Sequence, residues 1–339
     1  MSAPPSLAET VFAALADGEF HSGAAIAAGR SLSRSAVWKA VRGLRELGLE
    51  VQAVTRRGYR LAARCVPLDA DRIRDALAPD VRARLRRGET AWSLGSTNSE
   101  LLARPPPPPG EFDFLLAEYQ SAGRGRRARS WIAPPGGAIC LSMSWSYAAL
   151  PPDAGALSLA MGVAALRALA TLGPLAIGLK WPNDLLAGGR KLGGMLLELR
   201  SEGGGPALVV FGIGINVALG AALAARVAAT GTEATDLASL GIADCNRNRL
   251  AAALIDAGVA AFLAFQRDGF RVFHDEWQQA DLLRGQPVSV TGAGEPILGR
   301  AAGVDADGAL RVETAGGLVR CISGEVSVRT RAPGTEPAA

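Results

Sequence analysis

Histidine is almost missing from this chain of 339 residues, which has two, His21 and His274. Neither stands near another plausible ligand, which argues against a histidine-built metal centre and a Ser-His-Asp triad. Cysteine is scarce too: Cys65, Cys140, Cys245 and Cys321 lie far apart, match neither a disulfide framework nor a zinc spacing, and read as buried thiols. No Gly-x-x-x-x-Gly-Lys-Ser/Thr loop occurs, so any nucleotide would be held without the usual phosphate cradle. No apolar run reaches the ~18 to 20 residues that span a bilayer. The start Met1-Ser2-Ala3-Pro4-Pro5 lacks the basic region and apolar core of a signal peptide. These absences lead to the expectation of a cytoplasmic protein with no membrane partner. With 49% hydrophobic residues, the chain can fill a sizeable core in two or three domains.

Charge is present, and it is patterned. The formal net charge is +4, and residues 1 to 64 alone hold nine Lys and Arg against five acids, a surplus equal to that of the whole chain. Long-range attraction to a polyanion therefore belongs to this segment. Leu7, Val11, Phe12 and Leu15 mark one face of a helix over 7 to 16, and Ser22 caps a short helix ending at Gly29. Ser33 caps a third helix, where Val37, Val41, Leu44 and Leu47 keep core spacing while Arg34, Lys39, Arg42 and Arg45 stay off it. Gly48 ends that helix. Strand-like runs at 49 to 54 and 59 to 61 flank Thr55-Arg56-Arg57-Gly58. The pattern is a winged helix-turn-helix over 1 to 64. Arg34, Ser35, Lys39 and Arg42 point to the major groove of DNA, and Arg56 and Arg57 on the wing to its backbone. A packing module with merely solvated charges is the alternative; confinement of the charge surplus to this unit favours DNA.

Residues 65 to 280 read as a central domain, α+β in class. Cys65 to Glu89 looks like a linker with a surface helix, Ser96-Thr97-Asn98 opens a helix, and Pro105 to Pro109 form a stiff loop. Strands are expected at 112 to 119, 139 to 145, 177 to 181, 192 to 199 and 207 to 217. Helices are expected at 153 to 172, 221 to 229 and 247 to 279, giving a mixed sheet covered by helices. Residues 281 to 330 hold short apolar runs between Gly/Asp turns and read as a small all-β barrel or sandwich. Residues 331 to 339 read as a disordered tail.

The most specific stretch is Gly123-Arg124-Gly125-Arg126-Arg127-Ala128-Arg129-Ser130-Trp131, four guanidinium groups in six residues. Arg keeps its charge and presents a fork suited to phosphate or carboxylate, so the stretch reads as an anion clamp that orders on its ligand. A solvated basic loop or a nucleic-acid patch has the same composition. Four further segments accompany it: Ser96-Thr97-Asn98, Lys180-Trp181-Pro182-Asn183-Asp184-Leu185, Lys191-Leu192-Gly193-Gly194-Met195-Leu196-Leu197-Glu198, and Phe211-Gly212-Ile213-Gly214-Ile215-Asn216-Val217. Together and in this order they resemble the biotin-protein ligases, in particular the bifunctional kind that also represses biotin synthesis. The resemblance runs from about residue 7 to residue 330.

The resemblance implies a central domain like that of class II aminoacyl-tRNA synthetases, an SH3-like C-terminal domain, and ATP-dependent formation of biotinyl-AMP. Biotin would then pass to a lysine of a biotin carboxyl carrier protein. It further implies that Ser96, Thr97, Asn98 and Gln120 serve the ureido ring, with Gly123, Arg124 and Gly125 closing over it. Arg126 and Lys191 would meet the α-phosphate and the biotin carboxylate. Lys180 and Asp184 would meet the polyphosphate and its Mg²⁺, or the acceptor lysine. Trp131 and Asn216 would take the adenine, Asn216 by a bidentate edge, with Arg129 and Asn183 beside the adenylate. Trp181 and the glycines 193, 194, 212 and 214 read as packing that leaves a slot against the sheet. Operator DNA is the implied second partner, bound by a homodimer formed when biotinyl-AMP is present. One departure stands out: the family usually has Gly where this chain has Ala128, and Ala resists φ above zero by about 1 kcal/mol. A lipoate or other acyl-adenylate ligase, or a non-catalytic biotin-sensing repressor, remain the competing readings.

Overall fold

The computed structural model describes residues 6–28, 32–201, 206–228, 233–291, 295–322 and 327–330. Gly29, expected to end the second helix, and the expected tail 331–339 lie outside the described residues. The N-terminal unit contains α1 (Leu7–Leu15), α2 (Gly23–Ala28) and α3 (Arg34–Glu46), then β1 (Val51–Val54) paired antiparallel with β2 (Gly58–Leu61). A capping box between Ser6 and Glu9 opens α1, and Ser33 Oγ accepts from Ala36 N to open α3. Val11, Phe12, Leu15, Val37, Val41 and Leu44 close one small core, with Leu47 packed at its margin. This is the expected winged helix-turn-helix.

The central domain adds α4 (Ala70–Ala76), α5 (Pro79–Arg82), β3 (Leu85–Leu94), α6 (Thr97–Ala103), β4 (Phe112–Gln120), β5 (Ala138–Tyr147) and α7 (Leu157–Ala170). It continues through β6 (Ile177–Lys180), β7 (Asp184–Ala187), β8 (Arg190–Ser201), β9 (Ala207–Asn216), α8 (Ala221–Ala228), α9 (Arg247–Asp268) and α10 (Arg271–Ala280). The sheet has seven strands in the order β3-β4-β5-β9-β8-β7-β6, with β3 parallel to β4 and the other pairs antiparallel. Three expectations are corrected here. Residues 65 to 89 are not merely linker and surface helix. They supply β3 at the sheet edge, and Ile73 of α4 is buried. The helix expected over 247 to 279 is two, broken at Gly269, where Phe270 N donates to Asp153 Oδ2 at 2.6 Å. Finally, α9 is long and apolar enough to cross a membrane by length and composition, with a mean hydropathy of 1.5. Here it is a core helix, with Leu250, Ile255, Phe262 and Phe265 buried against α7 and the sheet.

β10 (Pro287–Thr291), β11 (Ile297–Val304), β12 (Leu310–Thr314), β13 (Gly317–Cys321) and β14 (Ser327–Thr330) form an antiparallel sheet in the order β13-β12-β11-β10-β14. It is anchored on the central domain by Trp181, whose Nε1 donates to Gly308 O at 3.0 Å. That anchor agrees with a packing role for Trp181. At the junction, Leu282 N donates to Leu179 O, and Asp281 caps Leu283 N. Burial raises the Asp281 carboxyl to about 6.

Deep in the central domain, Arg247 of α9 is 1% exposed and bonds both oxygens of Glu118 on β4, at 2.8 and 2.9 Å. Arg247→Ala would leave that carboxylate buried and unpaired, so we expect a loss of about 3 to 5 kcal/mol, read as the shift in urea midpoint. Asp281 yields a second expectation. In the unfolded chain a carboxyl titrates near 4, and here near 6. The folded state therefore holds the proton more tightly between those values, and the stability present at pH 4 falls as pH rises through 6. Asp281→Asn keeps an acceptor for Leu283 N and should remove this decline. Melting temperatures compared between pH 4.5 and 7.5 should then converge at the acid end and favour the variant at the neutral end.

Candidate active site

Strand alternation divides the central sheet into two faces. Val209, Phe211, Ile213 and Ile215 of β9 point into the helical core, while Leu208 and Val210 meet Leu101 of α6 on the other side. Gly212 and Gly214 continue that second face. A Cβ at Gly212 would come within 2.2 Å of Asn98 Oδ1, and one at Gly214 within 2.4 Å of the Trp131 ring. Glycine lets these side chains lie down on the sheet, and the slot they bound opens into a cavity of about 810 Å³. Every residue expected at the catalytic, biotin and adenylate positions lines it except Gly123, which sits at the loop base.

One end of the cavity is neutral and hydrogen-bonded. Ser96 caps α6 by accepting from Ser99 N. Thr97 N donates to Gln120 Oε1 at 2.8 Å, which leaves the Gln120 amide nitrogen as a donor. Ser142 Oγ lies 2.7 Å from Thr97 Oγ1 and 2.5 Å from Asn98 Oδ1, with Thr97, Asn98 and Ser142 all buried. Ser142 had no place in the sequence-based set. Its signal was the polar run Ser142, Ser144, Ser146 at alternate positions of an otherwise apolar strand. Glu198 was also given no role, an acid between the apolar Met195-Leu196-Leu197 and Leu199, and it accepts from Asn98 Nδ2 at 2.9 Å.

The other end is cationic. Lys191 Nζ pairs with Asp184 Oδ1 at 2.7 Å across β7 and β8. Asp184 is thus the counterion of the lysine, and β7, which carries it, is a strand the sequence did not announce. Asn216 donates from Nδ2 to Thr235 O at 2.9 Å and to Lys191 O at 3.3 Å. Both its N–H bonds are spent on backbone, so it offers Oδ1 alone rather than the expected bidentate edge, and it fixes the strand behind Lys191. Asn183 likewise donates to Met195 O at 2.6 Å. Among the described residues no three His, Cys, Asp or Glu side chains form a metal cluster. A magnesium ion arriving with nucleotide would find Asp184 as its carboxylate, with phosphate and water completing its shell.

The arginine loop folds over the cavity as a tight hairpin. Trp131 N donates to Gly123 O at 2.9 Å and Gly125 N to Arg129 O at 2.7 Å. Arg127 and Ala128 both adopt positive φ, 54° and 56°. Gly would take that conformation freely, so Ala128 costs the loop roughly 1 kcal/mol. Partners offset the mutual repulsion of the arginines. Arg124 Nη2 pairs with Glu198 Oε1 at 2.8 Å, and Arg127 donates to Thr291 O of the C-terminal sheet at 3.0 Å. Burial, followed by the Arg127 charge, pulls the Arg126 guanidinium below its usual value, and Asp184 opposes both. A cation so placed gains from an incoming anion. The thiols are inert by the same measure, since burial pushes Cys65, Cys140 and Cys245 up to about 11.

In the N-terminal unit, Arg34, Ser35, Lys39 and Arg42 are exposed along α3, and Arg56 and Arg57 form the turn between β1 and β2. Arg56 has a φ of 64°, and the Arg57 guanidinium stacks 4.2 Å from the Phe20 ring. Arg45 is structural, donating to Val51 O.

Known proteins are similar to this chain in sequence and fold. The Biotin/lipoate A/B protein ligase family matches residues 108–216, the biotin protein ligase C terminal domain 284–329, and an HTH domain 8–60. The bifunctional ligase/repressor BirA of Salmonella typhimurium is 37% identical over 95% of this chain and 97% of its own length. That of Escherichia coli K12 is 36% identical over 94% and 96%. A biotin protein ligase from Aquifex aeolicus, solved in complex with biotin and ATP, superposes with a TM-score of 0.61 at 25% identity, covering 73% of this chain and all of that one. With its helix-turn-helix head, ligase domain and C-terminal sheet matched in one continuous stretch, the chain belongs to the bifunctional biotin ligase/repressor family.

Proposed function

We propose that the chain activates biotin with ATP and transfers it to a lysine of a biotin carboxyl carrier protein, and that the same molecule represses transcription when loaded. We divide it into a DNA-binding head (1–64), a catalytic domain (65–280) and a C-terminal domain (281–330). One observation carries the ligase reading: a single cavity is lined both by the hydrogen-bonding groups of Ser96, Thr97, Asn98 and Gln120 and by Lys191, Arg126 and Asp184. A ureido ring has N–H and C=O groups to satisfy Asn98, Thr97 and Gln120, whereas a dithiolane ring has neither, which disfavours lipoate.

In the first step a carboxylate oxygen of biotin attacks the α-phosphorus of ATP, forming the acyl-phosphate bond as pyrophosphate leaves. Two anions must approach, and Arg126 and Lys191 lower that cost by charge alone. Lys180 and Asp184 serve the polyphosphate end with its magnesium, or receive the acceptor lysine. Trp131 supplies the adenine face, with Arg129, Asn183 and Asn216 shaping the adenylate subsite. In the second step the ε-amine of the carrier lysine attacks the acyl carbon, loses a proton, and AMP departs. Intact Arg126, Lys180, Asp184 and Lys191 speak against a non-catalytic sensor.

The test is mass spectrometry of an apo carrier protein incubated with the chain, ATP, Mg²⁺ and either biotin or lipoate. We expect one biotin on one lysine, and lipoate alone appearing on the carrier would overturn the reading. In the same assay Lys191→Ala should slow pyrophosphate release about a hundredfold, or roughly 3 kcal/mol, while the melting temperature holds.

The repressor half places the protein in the compartment that holds the chromosome, as a homodimer presenting two heads when biotinyl-AMP is bound. Its measure is the salt dependence of operator binding, to which each phosphate contact adds about 0.9 in slope. Deleting residues 1–64 should abolish operator binding and its salt slope while carrier biotinylation continues. A headless protein that binds the operator with the parent slope would refute it.

A further inference from the structure

Glu198 closes the segment that begins at Lys191 and has no role assigned above, yet its one carboxylate joins two parts of the site. Oε2 accepts from Asn98 Nδ2 at 2.9 Å, and Oε1 pairs with Arg124 Nη2 at 2.8 Å. Asn98 stands on α6 at the neutral end of the cavity, whereas Arg124 belongs to the hairpin that covers it. The second N–H of Asn98 goes to Leu196 O at 3.2 Å, and Ser142 Oγ lies 2.5 Å from Asn98 Oδ1. Both donors of this amide are thereby spent, and an anion fixes which way it faces. What Asn98 has left for a ligand is the remaining lone pair of Oδ1, beside the close approach to Gly212. Such an acceptor suits an N–H of a cyclic urea.

We infer that Glu198 is a positioning residue that couples recognition to closure: it orients Asn98 as an acceptor for the ligand's N–H and latches the hairpin through Arg124. This rests on the biotin reading for the ligand, while the latch itself is a property of the protein alone. The Arg124 side chain is 47% exposed and that of Glu198 20%, so the ion pair contributes a few-fold rather than many decades.

The two duties separate by substitution. Glu198→Gln retains an oxygen for Asn98 but loses the charge that holds Arg124, whereas Glu198→Ala loses both. Three quantities are read: biotin affinity by calorimetry without nucleotide, release of preformed biotinyl-AMP by chase, and tryptic cleavage within 124–129 of the free protein. For Glu198→Gln we expect biotin affinity within about twofold of the parent, with adenylate release and loop cleavage roughly three- to tenfold faster. Arg124→Ala should speed release at least to the same degree, since it also loses the bond from Arg124 Nη1 to Ser99 Oγ at 3.2 Å, and adding Glu198→Gln to it should speed release no further, because the ion pair is already broken. Glu198→Ala should in addition weaken biotin binding about tenfold. Unchanged loop cleavage in Glu198→Gln, or effects that multiply in the double variant, would overturn the latch. A parent protein that binds no biotin would overturn the ligase reading, and the cleavage comparison would still decide the latch.

Discussion

The buried ion pair between Arg247 and Glu118 is the point at which the central domain is tied together. Arg247 Nη1 also donates to Ala138 O at 3.2 Å and Nη2 to Val66 O at 2.8 Å, while Glu118 accepts from Leu68 N at 2.7 Å and Gly136 N at 3.0 Å. Four segments meet there: the connection from the head, the end of β4, the approach to β5, and the first turn of α9. Two charges taken out of water cost more than their attraction returns unless hydrogen bonds satisfy them, and here each carboxylate oxygen has two partners, while on the guanidinium only Nε goes without one. An apolar pair could pack as tightly. It would not set the register in which Gln120, two residues beyond Glu118, reaches Thr97, or in which Ala138 starts the strand bearing Ser142.

That register is why the cavity has the polarity it has. Alternate residues of β5, β8 and β9 face the slot, and the antiparallel pairs Ser142 with Gly212, Cys140 with Gly214, and Gly194 with Gly214 line up small groups across three strands. A shift by one residue would turn Met143, Met195 and Phe211 into the slot and bury the polar set in the helical core. The glycines therefore act through space rather than through flexibility. They make a floor low enough for Asn98 and Trp131 to lie flat, and they leave Lys191 and Asp184 room to pair.

How much of this was legible in the sequence differs by scale. The head was read closely because local rules decide it: Ser33 as a cap, Gly48 as a stop, a surplus of Arg on one unit. Lys191 and Asp184 could be named from motif order, but not their pairing, since β7 has four residues and too little periodicity to be seen as a strand. β3 was missed because Arg86, Arg87 and Glu89 make it look like a solvated linker. It is an edge strand, and Arg86 pairs with Asp113 while Arg104 pairs with Glu89. The end of α9 depends on Asp153, which caps Phe270 N from 117 residues away. Arg247 and Glu118 are likewise 129 apart, and nothing in either neighbourhood announces the other. The donors of Asn216 are spent for a similar reason, on carbonyls supplied by two segments that only the folded sheet brings together.

The segment from Trp131 to Ala138 carries this long-range logic furthest. At its start Trp131 lies on Gly214 as one wall of the ligand slot. A few residues on, a Cβ added at Gly48 of the head would come within 3.7 Å of Pro134 and one added at Gly136 within 3.2 Å of the Phe12 ring, and Phe12 packs against Trp92 of the sheet edge at 5.2 Å. Gly136 N then donates to Glu118, so the buried pair clamps the far end. The arginine hairpin enters this segment at one end and the sheet leaves it at the other. Ligand wall, head contact and buried charge thus share eight residues of backbone, and the conformation of that short run is constrained from three sides at once. A hairpin strained at Arg127 and Ala128 is tolerable in this setting because its Trp131 end packs on the sheet at Gly214 and runs directly into the stretch that Glu118 clamps.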